Sequence, residues 1–516
     1  MTAYSNPVLP GMHPDPSVCR VEDTFYLVTS SFEYFPGLPL HSSTDLVTWT
    51  PIGHAIDRPG QLDLAGVPDS GGLYAPTLRH HDGRFYLACT SVGGERDGSF
   101  LVTATDPAGP WSDPVWIDEA RGIDPDLFFD AGTAWWAGCR LVEPGAYPGQ
   151  TEVWLRELDL AAGALVGEEH ILWNGALHGA VWAEGPHLYQ RDGWFYLVAA
   201  EGGTEQHHAV SVARSRRVTG PYEGNPGNPI LTHRHLGRTA AVQNVGHADL
   251  VDGPDGSWWA LALGVRPRAG GHLLGRETFL APVAWEDDWP VVNPGAGMLS
   301  AAGSTPFDSP PGAAMPTSAG LHDDFSAAAP AGHWLSLRGP ASFAKTGPGG
   351  LRLTPTGHDL GSAGQAAFLG YRWRHPDASA GIRVVPPAPG LTAGLALRQS
   401  GAFQLRLELR TGPSGALVTA VERDGGVDRV LGSVRLNPVE AADPAGVRLE
   451  ARLSGRGVAL VATAGSTRYP VAETDAGVLT TERAGGFVGT FVGPFATGDA
   501  ARPAVVTAFD YRPATA

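Results

Sequence analysis

The chain has 516 residues, of which 43% are hydrophobic, 9% aromatic and only 17% charged. That excludes a disordered chain and predicts two to four domains, each large enough to bury a core. Its 36 Lys+Arg against 53 Asp+Glu give a net charge of −17, which argues against nucleic acid or an anionic membrane as partner.

The opening MTAYSNPVLPGMHPDPS lacks the basic and apolar regions of a secretory signal, and no run reaches membrane-spanning length. Cys19, Cys89 and Cys139 are too few, and an odd number, for a disulfide framework. They predict buried free thiols and a cytoplasmic protein.

With Gly 69 and Pro 44 and no long 3.6-residue apolar period, the chain reads as short strands between turns. Five segments share one layout, beginning at Asp15, Ala75, Asp124, Glu184 and His247. Each gives a short strand, a turn, and a second strand opened by an aromatic pair: Phe25-Tyr26, Phe85-Tyr86, Trp135-Trp136, Phe195-Tyr196 and Trp258-Trp259. A second theme, STDLVTW at 43–49, TDPAGPW at 105–111 and RRVTGPYEGNPGNPIL at 216–231, fits the outer hairpin of a unit. Five such units predict a five-bladed β-propeller over residues 1–300. Residues 301–320, rich in Pro, Ala, Gly and Ser, read as a linker. The strict alternation of FQLRLELR (403–410), with Phe403, Leu405, Leu407 and Leu409 on one face, and of VRLEARL (447–453) predicts a β-sandwich over 321–516, its strands polar on the outer face. The fold class is therefore all-β.

Inner strands of a propeller start at the central channel, so the five segment starts should ring one axis. Three carboxylates (Asp15, Asp124, Glu184) and an imidazole (His247) would then share one cavity. Hydrolysis of a glycosidic bond needs one carboxyl protonated to serve the leaving oxygen and one ionised to act on water or carbon. A neighbouring negative charge raises a carboxyl pKa, and a cation lowers it. Glu184 has the longest reach and suits a proton donor. Each residue also has a plainer reading. Asp15 and Asp124 precede proline and could only start turns, Asp126 could replace Asp124 as the relevant acid, and Glu184 could be a solvated turn residue. His247 could be a core histidine, and Arg276 could simply pair with Glu277.

These segments resemble glycoside hydrolase family 43, in its β-xylosidase and α-L-arabinofuranosidase branch. The likeness runs through NPVLPGMHPDPSVCR (6–20), GGLYAPTLRHHDGRFYL (71–87), GIDPDLFF (122–129), EGPHLYQRDGWFYLVAAEGGT (184–204), VGHADLV (245–251), LGRETFLAP (274–282) and GGFVGTFVG (485–493). The resemblance implies a propeller that hydrolyses with inversion and a C-terminal sandwich over the channel mouth. It casts Asp15 as general base, Glu184 as general acid and Asp124 as the residue that raises and orients the acid. It assigns Phe32, Tyr74, His208, His247, Arg276 and, from the sandwich loop, Phe491 to substrate binding. Tyr74 stands where many members have tryptophan, Asp126 where serine is common, and Gln206 and His207 also depart from relatives. No cofactor is expected; the resemblance brings a structural calcium ion near His247 into question, where the sequence offers one ligand. The expected activity is exo-release of single pentoses, β-D-xylose first, from the non-reducing ends of short xylo-oligosaccharides. The alternatives are α-L-arabinofuranosidase or dual activity and, from other classes, a non-catalytic carbohydrate-binding propeller or a protein-binding scaffold. The expected partner is a small oligosaccharide, with room for a homo-oligomer.

Overall fold

The computed structural model describes residues 1–177, 179–268, 271–309, 320–499 and 502–514. Five four-stranded antiparallel units follow one another along the first three hundred residues. Their first strands are Ser17–Val21, Thr77–His81, Ile123–Asp130, Glu184–Arg191 and Gln243–Asp252. Their second strands, which carry the aromatic pairs, are Thr24–Val28, Arg84–Val92, Thr133–Leu141, Trp194–Glu201 and Trp258–Val265. The repeat seen in the sequence is thus the inner hairpin of each blade. The second theme lies between the third and fourth strands of blades one, two and four. The small strand Gly72–Leu73 adds to the second blade.

The aromatic pairs explain why the ring closes. Adjacent side chains on a strand point to opposite faces, so each pair serves two neighbouring clefts. Tyr26 and Phe85 meet between blades one and two. Tyr86 and Trp136 meet between two and three. Trp135 and Phe195 fill the next cleft, and Tyr196 and Trp258 the one after. Trp259 and Phe25 complete the circle between blades five and one. Each ring so buried contributes about 1.5–3 kcal/mol relative to exposure.

The ring is also tied at its ends. Thr2–Ser5 pair with Ala302–Thr305. This corrects the predicted linker 301–320, whose first residues are a strand. An Ala-Gly-Ser-Thr run carries no hydrophobic period, and its partner lies three hundred residues away. Residues 310–319 of that linker lie outside the described residues.

The C-terminal part is a sandwich of two antiparallel sheets. One contains Ala378–Val384, Val447–Ser454, Gly457–Ala464, Thr467–Asp475 and Ala504–Pro513; the other contains Leu391–Arg398, Gln404–Gly412, Gly415–Asp424, Val427–Arg435 and Phe491–Gly498. Leu405, Leu407 and Leu409 face the shared core. The polar face of that strand is not solvated as expected: Gln404, Arg406 and Glu408 are buried too. Arg406 pairs with Glu408 at 3.0 Å, and Gln404 donates to the carbonyls of Leu360 and Gly401. The same sheet turns its second face to the propeller, where Ala396, Phe368 and Phe495 pack with Met12, Phe32 and Tyr34. The fully buried Arg398 reaches Tyr34, Glu33 and Asp69 across this junction. Ser336–Leu337 add a two-residue ladder to Tyr34–Phe35.

All three cysteines are free and buried. Among the described residues no helix is long and apolar enough to cross a membrane.

Candidate active site

The five segment starts do converge. Asp15, Ala75, Asp124, Glu184 and His247 all line one pocket, joined by Phe32, Tyr74, Ile123, Thr204, Arg276 and Phe487. Asp15, Asp124 and His247 hold left-handed backbone at φ 55°, 53° and 44°. Non-glycine residues avoid that region at a cost of about 1–3 kcal/mol each. The bend falls just before the first strand at Asp15 and at an irregularity within the strand at Asp124 and His247, and each side chain lines the channel. Gly185 does the same behind Glu184 at φ 55°, and a β-carbon there would stand 2.7 Å from the His247 ring.

The carboxylates differ in what they touch. Arg276 donates to both oxygens of Asp15, at 2.7 and 3.3 Å, and Ser30 Oγ donates to Oδ2 at 2.5 Å. Burial alone would raise the Asp15 pKa, but Arg276, His247 and the Ser30 hydroxyl outweigh it, so it lies below the ordinary value. Among the described residues Asp124 receives only the Gly185 amide, at 3.1 Å. Burial, then the charge of Asp15, pushes it up to about 7. Glu184 is raised well above its ordinary value by burial, then by Asp124 and Asp15. The set therefore holds an ionised Asp15 and a proton on the Asp124–Glu184 side. Arg276 pairs with Asp15 and not with Glu277, which is taken by Arg266 through two bonds of 2.7 and 2.8 Å.

The remaining wall is apolar. Phe32 lies 5.5 Å from Tyr74 and 5.9 Å from Phe487 between ring centroids. The Arg276 guanidinium is 5.6 Å from the Phe32 ring and 5.5 Å from Phe487. Rings of this kind stack on the C–H faces of sugars while an adjacent arginine serves the hydroxyls. Phe487 was missed in the sequence, and Phe491 is corrected. Phe491 is fully buried and stacks on Tyr34 at 3.9 Å, away from the pocket. The loop holding both begins with Gly485 and Gly486 at φ 68° and 81°, and the Phe487 amide donates to Ser70 Oγ. That turn points the first phenylalanine of GGFVGTFVG, not the second, into the pocket. An adjoining cavity shares Thr204, Arg276 and Phe487 and continues between the propeller and the sandwich loop 485–488.

His208 does not line the pocket. It is buried behind it, its Nδ1 at 3.1 Å from the Asn244 carbonyl, packed where a β-carbon on Gly246 would stand at 2.4 Å. His247 does line it, with Nδ1 3.8 Å from Asp15. Burial pushes its pKa to about 4, so it is a neutral ring at neutral pH. The donor set here does not fit calcium. That ion takes six to eight oxygens, both oxygens of Asp15 are engaged, and among the described residues no group of three or more His, Cys, Asp or Glu converges on a metal position.

Asp126, the alternative acid, lies elsewhere. Its Oδ1 accepts from Arg79 at 2.7 Å and its Oδ2 from the Leu188 amide at 2.8 Å. Arg79 also donates to Asp249 at 3.0 Å, and Asp249 accepts from Ser17, the Val18 amide and Tyr189. This network, also missed in the sequence, sits two residues further along the inner strands.

The profile described as glycosyl hydrolases family 43 matches residues 4–290, and that of a beta xylosidase C-terminal concanavalin A-like domain matches 322–512. A xylosidase/arabinosidase of Butyrivibrio fibrisolvens is 44% identical over 79% of this chain and 80% of its own length. A non-reducing end alpha-L-arabinofuranosidase of Bacteroides ovatus is 37% identical over 99% of this chain and 94% of its own. The crystal structure of a xylan beta-1,4-xylosidase from Bacillus halodurans superposes with a TM-score of 0.89 at 31% identity, covering 99% of this chain and 100% of that one.

Proposed function

Since this chain belongs to glycoside hydrolase family 43, we propose that it releases single pentoses from the non-reducing ends of short oligosaccharides with inversion, β-D-xylose first. The observation that carries this reading is the electrostatic split inside one pocket. Asp15 is pinned ionised by Arg276 and Ser30, while burial and two neighbouring carboxylates keep Glu184 protonated.

Each group then has one task. Glu184 donates its proton to the glycosidic oxygen as the bond to the anomeric carbon breaks. Asp15 takes a proton from a water molecule whose oxygen attacks that carbon from the opposite face. Asp124 keeps the proton on the acid until the sugar arrives, and Arg276 orients both Asp15 and the sugar. Phe32, Tyr74 and Phe487 form the wall against the sugar's apolar face. Phe487 comes from the sandwich, which makes the pocket suited to a terminal sugar and not to the middle of a long chain. The adjoining cavity past Thr204 is where the leaving sugar would extend.

A second activity of the same pocket, α-L-arabinofuranosidase, is favoured by the Bacteroides ovatus relative, whose name carries that activity and whose likeness spans nearly the whole chain. The test is a side-by-side assay of nitrophenyl β-D-xylopyranoside, nitrophenyl α-L-arabinofuranoside and xylobiose. Proton NMR follows the first-formed anomer from xylobiose. Release of α-xylose is expected. Release of β-xylose first would overturn inversion, and turnover of the arabinoside alone would overturn the xylose preference. No turnover of any of the three would reinstate a carbohydrate-binding role.

A further inference from the structure

Between the first blade and the sandwich lies a second cavity, of about 530 Å³, separate from the catalytic pocket. Its polar lining is mostly basic: His13, His41, His54, His333, Arg372 and Arg374 face it together with Tyr371, and no Asp or Glu lines it, though Asp323 stands 3.7 Å from His333 Nε2 behind the wall. Arg372, from the short strand Tyr371–Arg372, is 8% exposed. Its Nε donates to the Met12 carbonyl at 2.9 Å, and among the described residues its Nη2 has no hydrogen-bond partner. Among the described residues no carboxylate pairs with it. The Nδ1 atoms of His13 and His41 are buried and, among the described residues, equally unpartnered, and the two rings meet edge to face at 5.3 Å.

Such a set is expensive to keep. An arginine stays charged in a protein, and a buried charge without a counterion is among the least favourable arrangements in a folded chain. The structure nevertheless places one beside imidazoles that could each donate or accept. Burial, followed by Arg372, pushes His41 and His54 down to about 3. Burial, followed by Arg372, pushes His13 well down too. Water or a hydroxyl would satisfy the imidazole nitrogens, but only a bound anion supplies Arg372 with a counterion. Leu9, Leu40, Trp49 and Ile52 add apolar wall, which suits an organic body and not a bare ion.

We propose that this cavity is a binding site for a small organic oxyanion, a carboxylate or phosphate on a sugar-sized body, with Arg372 as its counterion and His13 and His41 as its hydrogen-bond partners. The site backs onto the catalytic machinery through the His13 main chain: its amide donates to the Arg276 carbonyl at 3.0 Å, and its carbonyl accepts from Thr278 Oγ1 at 2.6 Å.

The test is isothermal titration of the full chain with D-glucuronate and, separately, D-ribose 5-phosphate. At least one should bind one-to-one, and which one binds identifies the head group. Arg372→Gln should weaken that binding about tenfold or more, as expected for loss of a charge-assisted contact. His54→Leu, on an outer strand of the blade, should weaken it less and serves if Arg372→Gln does not fold. Phe487→Ala, in the catalytic pocket, should leave it unchanged. Failure of both anions to saturate would overturn the proposal. So would wild-type binding in both cavity variants, or loss of binding in Phe487→Ala.

Discussion

Two layers of the propeller channel carry the same kinds of residue and put them to opposite uses. In the upper layer stand Asp15, Asp124 and Glu184 with one cation, Arg276. Two positions beyond Asp15, Asp124 and His247 stand Ser17, Asp126 and Asp249 with one cation, Arg79. In the lower layer both carboxylates touch the arginine and their remaining oxygens are filled by amides and hydroxyls. Burial would raise Asp249, but Arg79 first among its partners brings it down to about 2. In the upper layer only Asp15 has the arginine, and Asp124 and Glu184 are raised. Satisfied charge holds the ring together; unsatisfied charge beside it does the chemistry.

The comparison can be broken from either side. The largest effect should come from the upper layer. Asp15→Asn or Glu184→Gln should cut kcat on xylobiose by about 10²–10⁴-fold while leaving the folded structure intact by circular dichroism. An Asp15→Asn variant with near wild-type turnover would remove the assigned base. The next effect belongs to the lower layer. Arg79→Met should cost about 3–5 kcal/mol of stability, because it strands two buried carboxylates. Its sign with pH is fixed by Asp249. A lowered pKa contributes stability above the unfolded value and loses it as pH falls towards about 2, so the gap between wild type and Arg79→Met should narrow in acid. Urea melts across that range would read it. The smallest effect sharpens the upper layer. Asp124→Asn removes a charge that raises Glu184, so the alkaline limb of kcat/KM should move to lower pH. An unmoved limb would detach Asp124 from the acid.

What the sequence shows and hides follows from the same geometry. The segment starts are legible because every blade must bring one residue to the axis, so register alone gathers Asp15, Ala75, Asp124, Glu184 and His247. Arg79 and Asp249 were overlooked because their partnership crosses blades, and a repeat alignment does not say which blades face each other over the channel. The strand Ala302–Thr305 has no hydrophobic period to betray it. Arg406 and Glu408 alternate with leucines as surface residues do, yet both are buried, paired with each other and with Asp428 and Arg410. Phe487 follows the turn at Gly485 and Gly486 and Phe491 opens a strand, a backbone difference that composition does not reveal.

The central claim is that the resting pocket holds an ionised Asp15 and a protonated Glu184. Infrared difference spectroscopy of the carboxyl carbonyl stretch tests it directly, in wild type, Asp15→Asn and Glu184→Gln near neutral pH. A protonated-carboxyl band should be present in wild type and in Asp15→Asn, and diminished or lost in Glu184→Gln. A wild type without the band, or a band lost only in Asp15→Asn, would contradict it.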